Sequence, residues 1–526
     1  MTLVLLLAIL IAVRILYERR RDRRLPPGPP RLPLIGNLHQ APLELPARTF
    51  HEWSRKYGPV ISAQFGMNTV IMIADPVIAR DLLDKRGQIY SDRPRMVMAG
   101  ENLTKGMHLL LRRYNDRYRL HQRMDAPALG PRASPTYYPL QDLESRQLLF
   151  DLLTSNDFDK IFGRYAASLM YALAYGYRLH TGNEKIMKDA HQVQQNFAYA
   201  GRVGTWIVDA IPALNVLPPL LAPWKRTAES FFQMEKAMHL RNLDAGRSAS
   251  GWNWTKEFTN SPEAKDMDDV ELAYNLGIVA DAGLDTTTMV MRVFTLAALV
   301  APDFIPKAQS ELDRVVGPDR LPVLADRDHL PYIAAVVEET LRWRTIAPTG
   351  APHATTQDDS YGGYLIPKGA TVMALFWTMC LDDAQGDSPF HFRPERWLVQ
   401  RLGNGTSDKT SAEQQPFVNF FGYGRRICAG RHIARNSLFL LIARLLWGFN
   451  IRHAVDANGK KKKVDDMAFT SGFVSAPVPF EAIFEARSAQ AAAVIEREWK
   501  VAEKDVGKLM DGIREEQAAR GLSLCA

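Results

Sequence analysis

Cysteine is almost missing from this chain of 526 residues, which holds three, Cys380, Cys428 and Cys525. Three scattered cysteines make neither a disulfide framework nor a four-cysteine zinc site, and they suit a reducing compartment. The chain has no internal repeat and no low-complexity linker long enough to divide its body. No G-x-G-x-x-G follows a strand pattern, and neither a P-loop nor H-E-x-x-H occurs, so dinucleotide, P-loop and zincin chemistry lack their signatures. Charge of one sign is scarce too. Of the net +7, more than half sits in the first 24 residues, where Arg14, Arg19, Arg20, Arg21, Arg23 and Arg24 face only Glu18 and Asp22. A nucleic-acid-binding body spreads basic residues among aromatics along grooves or helices, and this one does not. What remains is ordinary globular composition, 46% hydrophobic and 23% charged, which excludes collagen-like and disordered classes.

The first 17 residues read as a transmembrane signal anchor. Leu3 to Val13 is unbroken apolar sequence, followed by Arg14 and Ile15-Leu16-Tyr17. A span takes roughly 20 residues, with about 17 near the lower limit, and Arg14 is close enough to the end to snorkel. No basic region precedes the run and no small-x-small cleavage site follows it, which argues against a removed signal peptide. The arginines after it hold that side in the cytosol. Residues 18–37 then form a basic and proline-rich hinge through Leu25-Pro26-Pro27-Gly28-Pro29-Pro30, a stiff spacer or a plain linker. In a cytosolic body the sequons at Asn102, Asn253 and Asn404 carry no meaning.

Helical patterns dominate from about 140 to 345. The clearest runs from Asp268 to Val300 without proline until Pro302. Strand-like pieces cluster at Val60–Phe65, Thr69–Ala74 and Tyr361–Trp377 rather than alternating with helices, against a doubly wound parallel sheet.

The strongest local signal is Phe421-Gly422-Tyr423-Gly424-Arg425-Arg426-Ile427-Cys428-Ala429-Gly430, followed by the helical run to Trp447. Glycines before a cysteine that opens a helix let the backbone turn and aim amide N–H groups at the sulfur, stabilising a thiolate. A buried structural cysteine is the plainer reading of such a residue taken alone. The segment matches F-x-x-G-x-R-x-C-x-G and resembles the haem-binding loop of the cytochrome P450 family. That resemblance implies haem b bound by Phe421, Gly424, Arg426, Cys428 and Gly430, with Cys428 as the axial iron ligand and Arg426 paired to a propionate.

Two further motifs stand in that family's order. Glu339-Thr340-Leu341-Arg342, on its own a routine ion pair on one helix face, resembles with Arg396 of Phe392-Arg393-Pro394-Glu395-Arg396-Trp397 the family's fold-locking triad. Ala282-Gly283-Leu284-Asp285-Thr286-Thr287 interrupts the long helix with a glycine and β-branched residues, poor helix formers by up to about 1 kcal/mol each. It resembles the oxygen-activation motif, in which Gly283 would open room above the haem, Thr286 would hydrogen-bond dioxygen and Asp285 would help deliver protons. The resemblance implies a mainly α fold with small β-sheets, one large domain over 38–486 behind the anchor.

The chain departs from the family at two places. Where W-x-x-x-R usually reaches the propionates, Tyr118 and Gln122 stand, with Arg119, His121 and Arg123 near enough to substitute; Arg119 and Arg123 are taken as haem contacts. Trp377-Thr378-Met379-Cys380-Leu381-Asp382-Asp383 lacks the usual histidine of its segment. Residues 487–526 run past the resemblance as a helical extension, docked or solvated, with a partner site possible.

Substrate choice falls to 95–115, 195–225, Ile278–Asp285, Thr345–Ala351 and Thr470–Ser475. The apolar second stretch suits either a pocket roof dipping into the membrane or helix core. The implied activity is monooxygenation of a lipophilic small molecule, in the style of microsomal enzymes of fungal secondary metabolism. Its electrons would come from NADPH through a separate NADPH-cytochrome P450 reductase, with cytochrome b5 as a second donor. The implied location is the endoplasmic reticulum membrane, single-pass, with the body in the cytosol. A reductase would meet Arg119, Arg123, Arg425 and Arg431 on the cysteine side. The alternatives are a haem-thiolate isomerase or dehydratase working without O₂, and a non-catalytic haem sensor or carrier; neither needs the Asp285-Thr286 pair.

Overall fold

A computed structural model of the chain describes residues 24–33, 35–202, 204–381, 388–398 and 418–522. The anchor at 1–17, the start of the hinge, Asp382, Asp383 and Cys525 lie outside the described residues. The longer helices are α1 (Pro46–Tyr57), α2 (Asp116–Leu129), α3 (Tyr138–Leu152), α4 (Phe158–Tyr175), α5 (Lys185–Ala200), α6 (Pro223–Ser248), α7 (Asp269–Val300), α8 (Ile305–Val315), α9 (Pro331–Trp343), α10 (Arg431–Gly448), α11 (Ala489–Val501) and α12 (Val506–Ala519).

The expected long helix is α7, 32 residues and so about 48 Å. It starts where the Asp268 carboxylate accepts from Glu271 N–H at 2.8 Å, and it ends before Pro302. By length and apolarity it would pass as a membrane span, but most of it is buried in the centre of the molecule. Helices α4, α6 and α10 pack along it. Two of its glycines exist for this packing. A Cβ at Gly277 would lie 2.1 Å from the His239 ring of α6, and one at Gly283 would lie 2.6 Å from the Met170 side chain of α4. Gly283, which its motif would set above a haem, is thus also the point where α7 admits a neighbouring helix.

Strands β1 (Val60–Phe65) and β2 (Asn68–Ile73) form an antiparallel pair. In sequence order β3 is His353–Ala354, β4 Asp359–Tyr361, β5 Tyr364–Ile366, β6 Thr371–Ala374, β7 Phe449–His453 and β8 Ala482–Ala486. The main sheet has the order β1-β2-β6-β3, with β2 and β6 parallel, and β4-β5 and β7-β8 are two small antiparallel sheets. Trp377, placed with the strands by pattern, belongs to a short helix, Phe376–Cys380.

The fold-locking triad is assembled as its motif implies. Arg342 Nε and Nη2 donate to the two oxygens of the fully buried Glu339, each at 2.8 Å. Arg396 Nε reaches Oε1 at 3.1 Å, Trp397 Nε1 reaches Oε2 at 3.0 Å and Arg393 N–H closes on Oε1 at 2.7 Å. The free end of Arg342 donates to the carbonyls of Cys380, Pro389 and His391. Glu339 and the arginine it holds thus tie α9 to Cys380 and to the segment 389–397, the carboxylate's charge fully compensated.

The extension beyond 486 is docked. Helices α11 and α12 bury Val494, Ile495, Met510 and Ile513. Trp499 packs at a tilt against Phe150, Arg146 reaches the Glu498 carboxylate at 2.9 Å, and Gln517 donates to Thr136 at 3.0 Å.

Candidate active site

The cysteine loop is shaped by glycine. Gly422 and Gly424 sit at φ +91° and +58°, where a side chain is strained, and a Cβ on Gly424 would lie 2.1 Å from the Leu83 carbonyl. Gly424 N–H donates to the Asp84 carboxylate. The loop returns on itself through Cys428 N–H to Phe421 O, 2.8 Å, and hands over at Gly430 to α10. Burial dominates and raises the Cys428 thiol above its ordinary range, opposed in part by the Gly430 N–H, the Arg431 charge and the Arg431 N–H. The Cys428 side chain is open to solvent by area yet surrounded by protein, so it lines an interior recess. Cys380 offers no comparable site: its thiol is fully buried and pushed up to about 12 by desolvation.

Beside the loop lie two guanidinium groups that pair with no carboxylate among the described residues. Arg426 donates to the carbonyls of Ser91 (2.8 Å) and Arg112 (2.6 Å) and stacks 3.7 Å from the centre of the Tyr118 ring. Arg93, buried, donates to the carbonyls of Leu110, Ala351 and Pro352. Burial, and the charge of Arg426, push Arg93 down to about 9. His353 beside them is pushed to about 3 by burial and the same two cations, so its ring is neutral, with Nδ1 donating to Tyr90 O at 2.7 Å. Tyr118 and Gln122 both turn to the Arg425 carbonyl, at 3.3 and 3.5 Å.

Arg119 and Arg123 are not brought to this place. Arg119 is exposed and pairs with Asp116, and Arg123 is exposed 3.8 Å from Glu263. Both point away because on α2 the inward face is taken by Tyr118, Leu120, His121 and Met124. Sequence reasoning missed Arg93, since nothing local marks a lone arginine before Pro94; only the meeting of three distant carbonyls singles it out.

In the middle of α7, Thr286 Oγ1 donates to Ala282 O at 2.9 Å, and both residues lie open on a helix that is otherwise mostly buried. The Asp285 carboxyl is raised by burial against the pull of His191 and Arg292; the exposed His191 ring lies 3.8 Å away. Arg292 is itself paired with Asp159.

These residues fit a haem. The recess offers one polarised thiol for iron, and two uncompensated guanidinium groups suited to two carboxylates. The fold and the cysteine recess define a haem-thiolate enzyme. Residues 26–484 match the family model described as Cytochrome P450. The chain is 42% identical over 501 residues to cytochrome P450 monooxygenase drtD of Aspergillus calidoustus, covering 95% of this chain and 93% of that one. It is 40% identical to cytochrome P450 monooxygenase aneD of Aspergillus aculeatus, covering 93% of each, and 38% identical to cytochrome P450 monooxygenase FrzL of a Cladobotryum species, covering 94% of each. The chain belongs to the cytochrome P450 family and is a haem-thiolate monooxygenase.

Proposed function

We propose that Cys428 is the axial ligand of haem iron, that Arg426 and Arg93 hold the propionates, and that Asp285 and Thr286 manage protons for oxidation of a lipophilic small molecule of fungal secondary metabolism. The observation that carries this reading is the Cys428 recess at the start of α10, beside two guanidinium groups that no carboxylate of the described residues pairs with. Bound haem supplies dioxygen activation with two electrons from NADPH delivered by a separate reductase. Around it, Thr286 holds its hydroxyl proton on Ala282 O and can turn it toward the recess, and Asp285 keeps a carboxyl that burial makes ready to carry a proton. Arg119 and Arg123, exposed on the cysteine side with Arg425 and Arg431, serve the acidic surface of NADPH-cytochrome P450 reductase or cytochrome b5 rather than the haem.

The stretch before α6 supports a membrane-facing reading. Val216 and Leu220 are 85% and 82% exposed, and Ile207, Ile211 and Leu221 are exposed with them. Together with the apolar sequence at 1–17 this favours single-pass attachment to the endoplasmic reticulum, with lipophilic substrate entering from the bilayer side.

Thr286→Ala tests the catalytic assignment. Coupled turnover should fall on the order of a hundredfold, with peroxide released per NADPH rising, while haem content stays unchanged. Unchanged coupling would favour an isomerase or carrier.

A further inference from the structure

Away from the recess, α7 carries a line of polar groups that the reading above does not use. His239 of α6 lies flat on α7 at Gly277, wholly buried, with neither ring nitrogen in a hydrogen bond. Its Nε2 stands between two carboxylates, 3.6 Å from Glu235 and 4.0 Å from Asp281. Tyr274 hydroxyl donates to the far oxygen of Glu235 at 3.2 Å. Around the same place the buried hydroxyls of Tyr171 and Tyr175 of α4 lie beside the Asn242 side chain of α6, and Gln194 of α5 leaves its side-chain oxygen without a partner among the described residues. These polar groups, with His239, meet in one seam of α4, α5, α6 and α7, a built polar interior rather than a packing fault.

The seam ends at the proton-handling acid. Asp281 and Asp285 are one helical turn apart and so share a face of α7. Asp281 is raised to about 7 by burial, with His239 opposing and Glu235 and Asp285 adding to the rise. The phenols of Tyr171 and Tyr175 face it from α4, and Gln194 Nε2 holds its backbone carbonyl at 2.9 Å. Beyond Asp285 stands His191, open to solvent.

We infer that Asp281, backed by His239 and Glu235, is an internal proton store that refills Asp285 during turnover. The step moves one proton from the Asp281 carboxyl to the Asp285 carboxylate. It leaves the Asp281 carboxylate facing the His239 imidazolium, and once Asp285 has passed its proton on, a solvent proton taken up at His191 returns through Asp285 to Asp281. It needs no electron and no co-reactant beyond water. Asp281 and His239 touch neither substrate nor haem in this account; they act through Asp285. The inference rests on Asp285 serving as the proton-handling acid, so the test separates the two.

The experiment uses the holoenzyme with a NADPH-dependent reductase, with NADPH and dioxygen as the only added reactants. Wild type should show infrared absorption of two protonated carboxylic acids that titrate near pH 7, Asp281 and the equally buried Asp125, and Asp281→Asn should lose one of them while Asp125→Asn loses the other. The same variant should oxidise NADPH on the order of tenfold more slowly, with a larger solvent deuterium isotope effect and a flattened pH profile, and Asp281→Glu should recover most of the rate. His239→Gln should move the midpoint of the Asp281 infrared titration without changing the ligand spectrum of the haem. An Asp281→Asn enzyme with both wild-type bands, the rate and the isotope effect overturns the store. Should that variant bind no haem, the His239→Gln titration decides alone, an unmoved midpoint counting against it. If Asp285→Asn slows oxidation while Asp281→Asn does not, only the store fails; if neither does, the role of Asp285 fails first.

Discussion

At the residue scale the haem contacts divide by how each side chain meets its partners. Arg426 stands two residues before Cys428 in the motif that carries the family resemblance, and that resemblance implies its role. Arg93 depends on carbonyls of Leu110, Ala351 and Pro352, which no local pattern links to it. Arg119 and Arg123 looked suitable by proximity to Tyr118 and Gln122, but helical geometry turns them outward to Asp116 and Glu263. The account separates them experimentally. Arg93→Gln should weaken haem retention by about tenfold or more, the worth of a lost charge-assisted hydrogen bond to a carboxylate. Haem remaining per chain after gel filtration measures it. Arg119→Gln should retain haem as wild type does and instead slow electron transfer from the reductase. Gly283 is closely packed by Met170 as well, a contact its motif does not announce.

At the scale of elements, capping and punctuation made the long helix legible: Asp268 begins α7 and Pro302 follows its end. The π-helical turns at Arg80–Lys85 and Val97–Leu103 were not legible, because their i→i+5 bonding has no composition signal. Two ties between elements carry predictions. Glu339→Gln leaves Arg342 and Arg396 buried with half their compensation, which should cost about 3–5 kcal/mol and lower the urea midpoint. A variant within 1 kcal/mol of wild type, in rough terms, contradicts the lock. Near the start of α7, burial pushes the Glu271 carboxyl up, but bonds from His121, Arg117 and Arg112 outweigh it and hold the group well below the ordinary range. A carboxyl depressed in the folded state adds stability above its ordinary value of about 4.3, and that stability is lost as pH falls from there toward the folded value. Glu271→Gln should therefore be less stable than wild type at neutral pH and should lose less on acidification below about pH 4.5. Thermal unfolding across pH gives the comparison.

At the scale of the whole molecule, the order of three motifs was enough to identify the mainly α body with its small sheets, since their spacing along the chain is a property of the fold. The manner in which residues 487–522 close on α3 and on Thr136 was not readable, because helical spacing of Val494, Ile495, Met510 and Ile513 shows an apolar face without showing what covers it. That burial contributes about 1.5–3 kcal/mol for each large side chain. Ending the chain at 486 should lower Tm by several degrees while the haem spectrum persists; an unchanged Tm would mean the helices are passengers. The central claim, a thiolate from Cys428 on haem iron, is met most directly by the reduced carbon monoxide difference spectrum of membranes holding wild type beside Cys428→Ala. The account predicts a Soret band at the thiolate-ligated position in wild type and none in the variant. The band surviving in Cys428→Ala, or missing from well-expressed wild type, would contradict it.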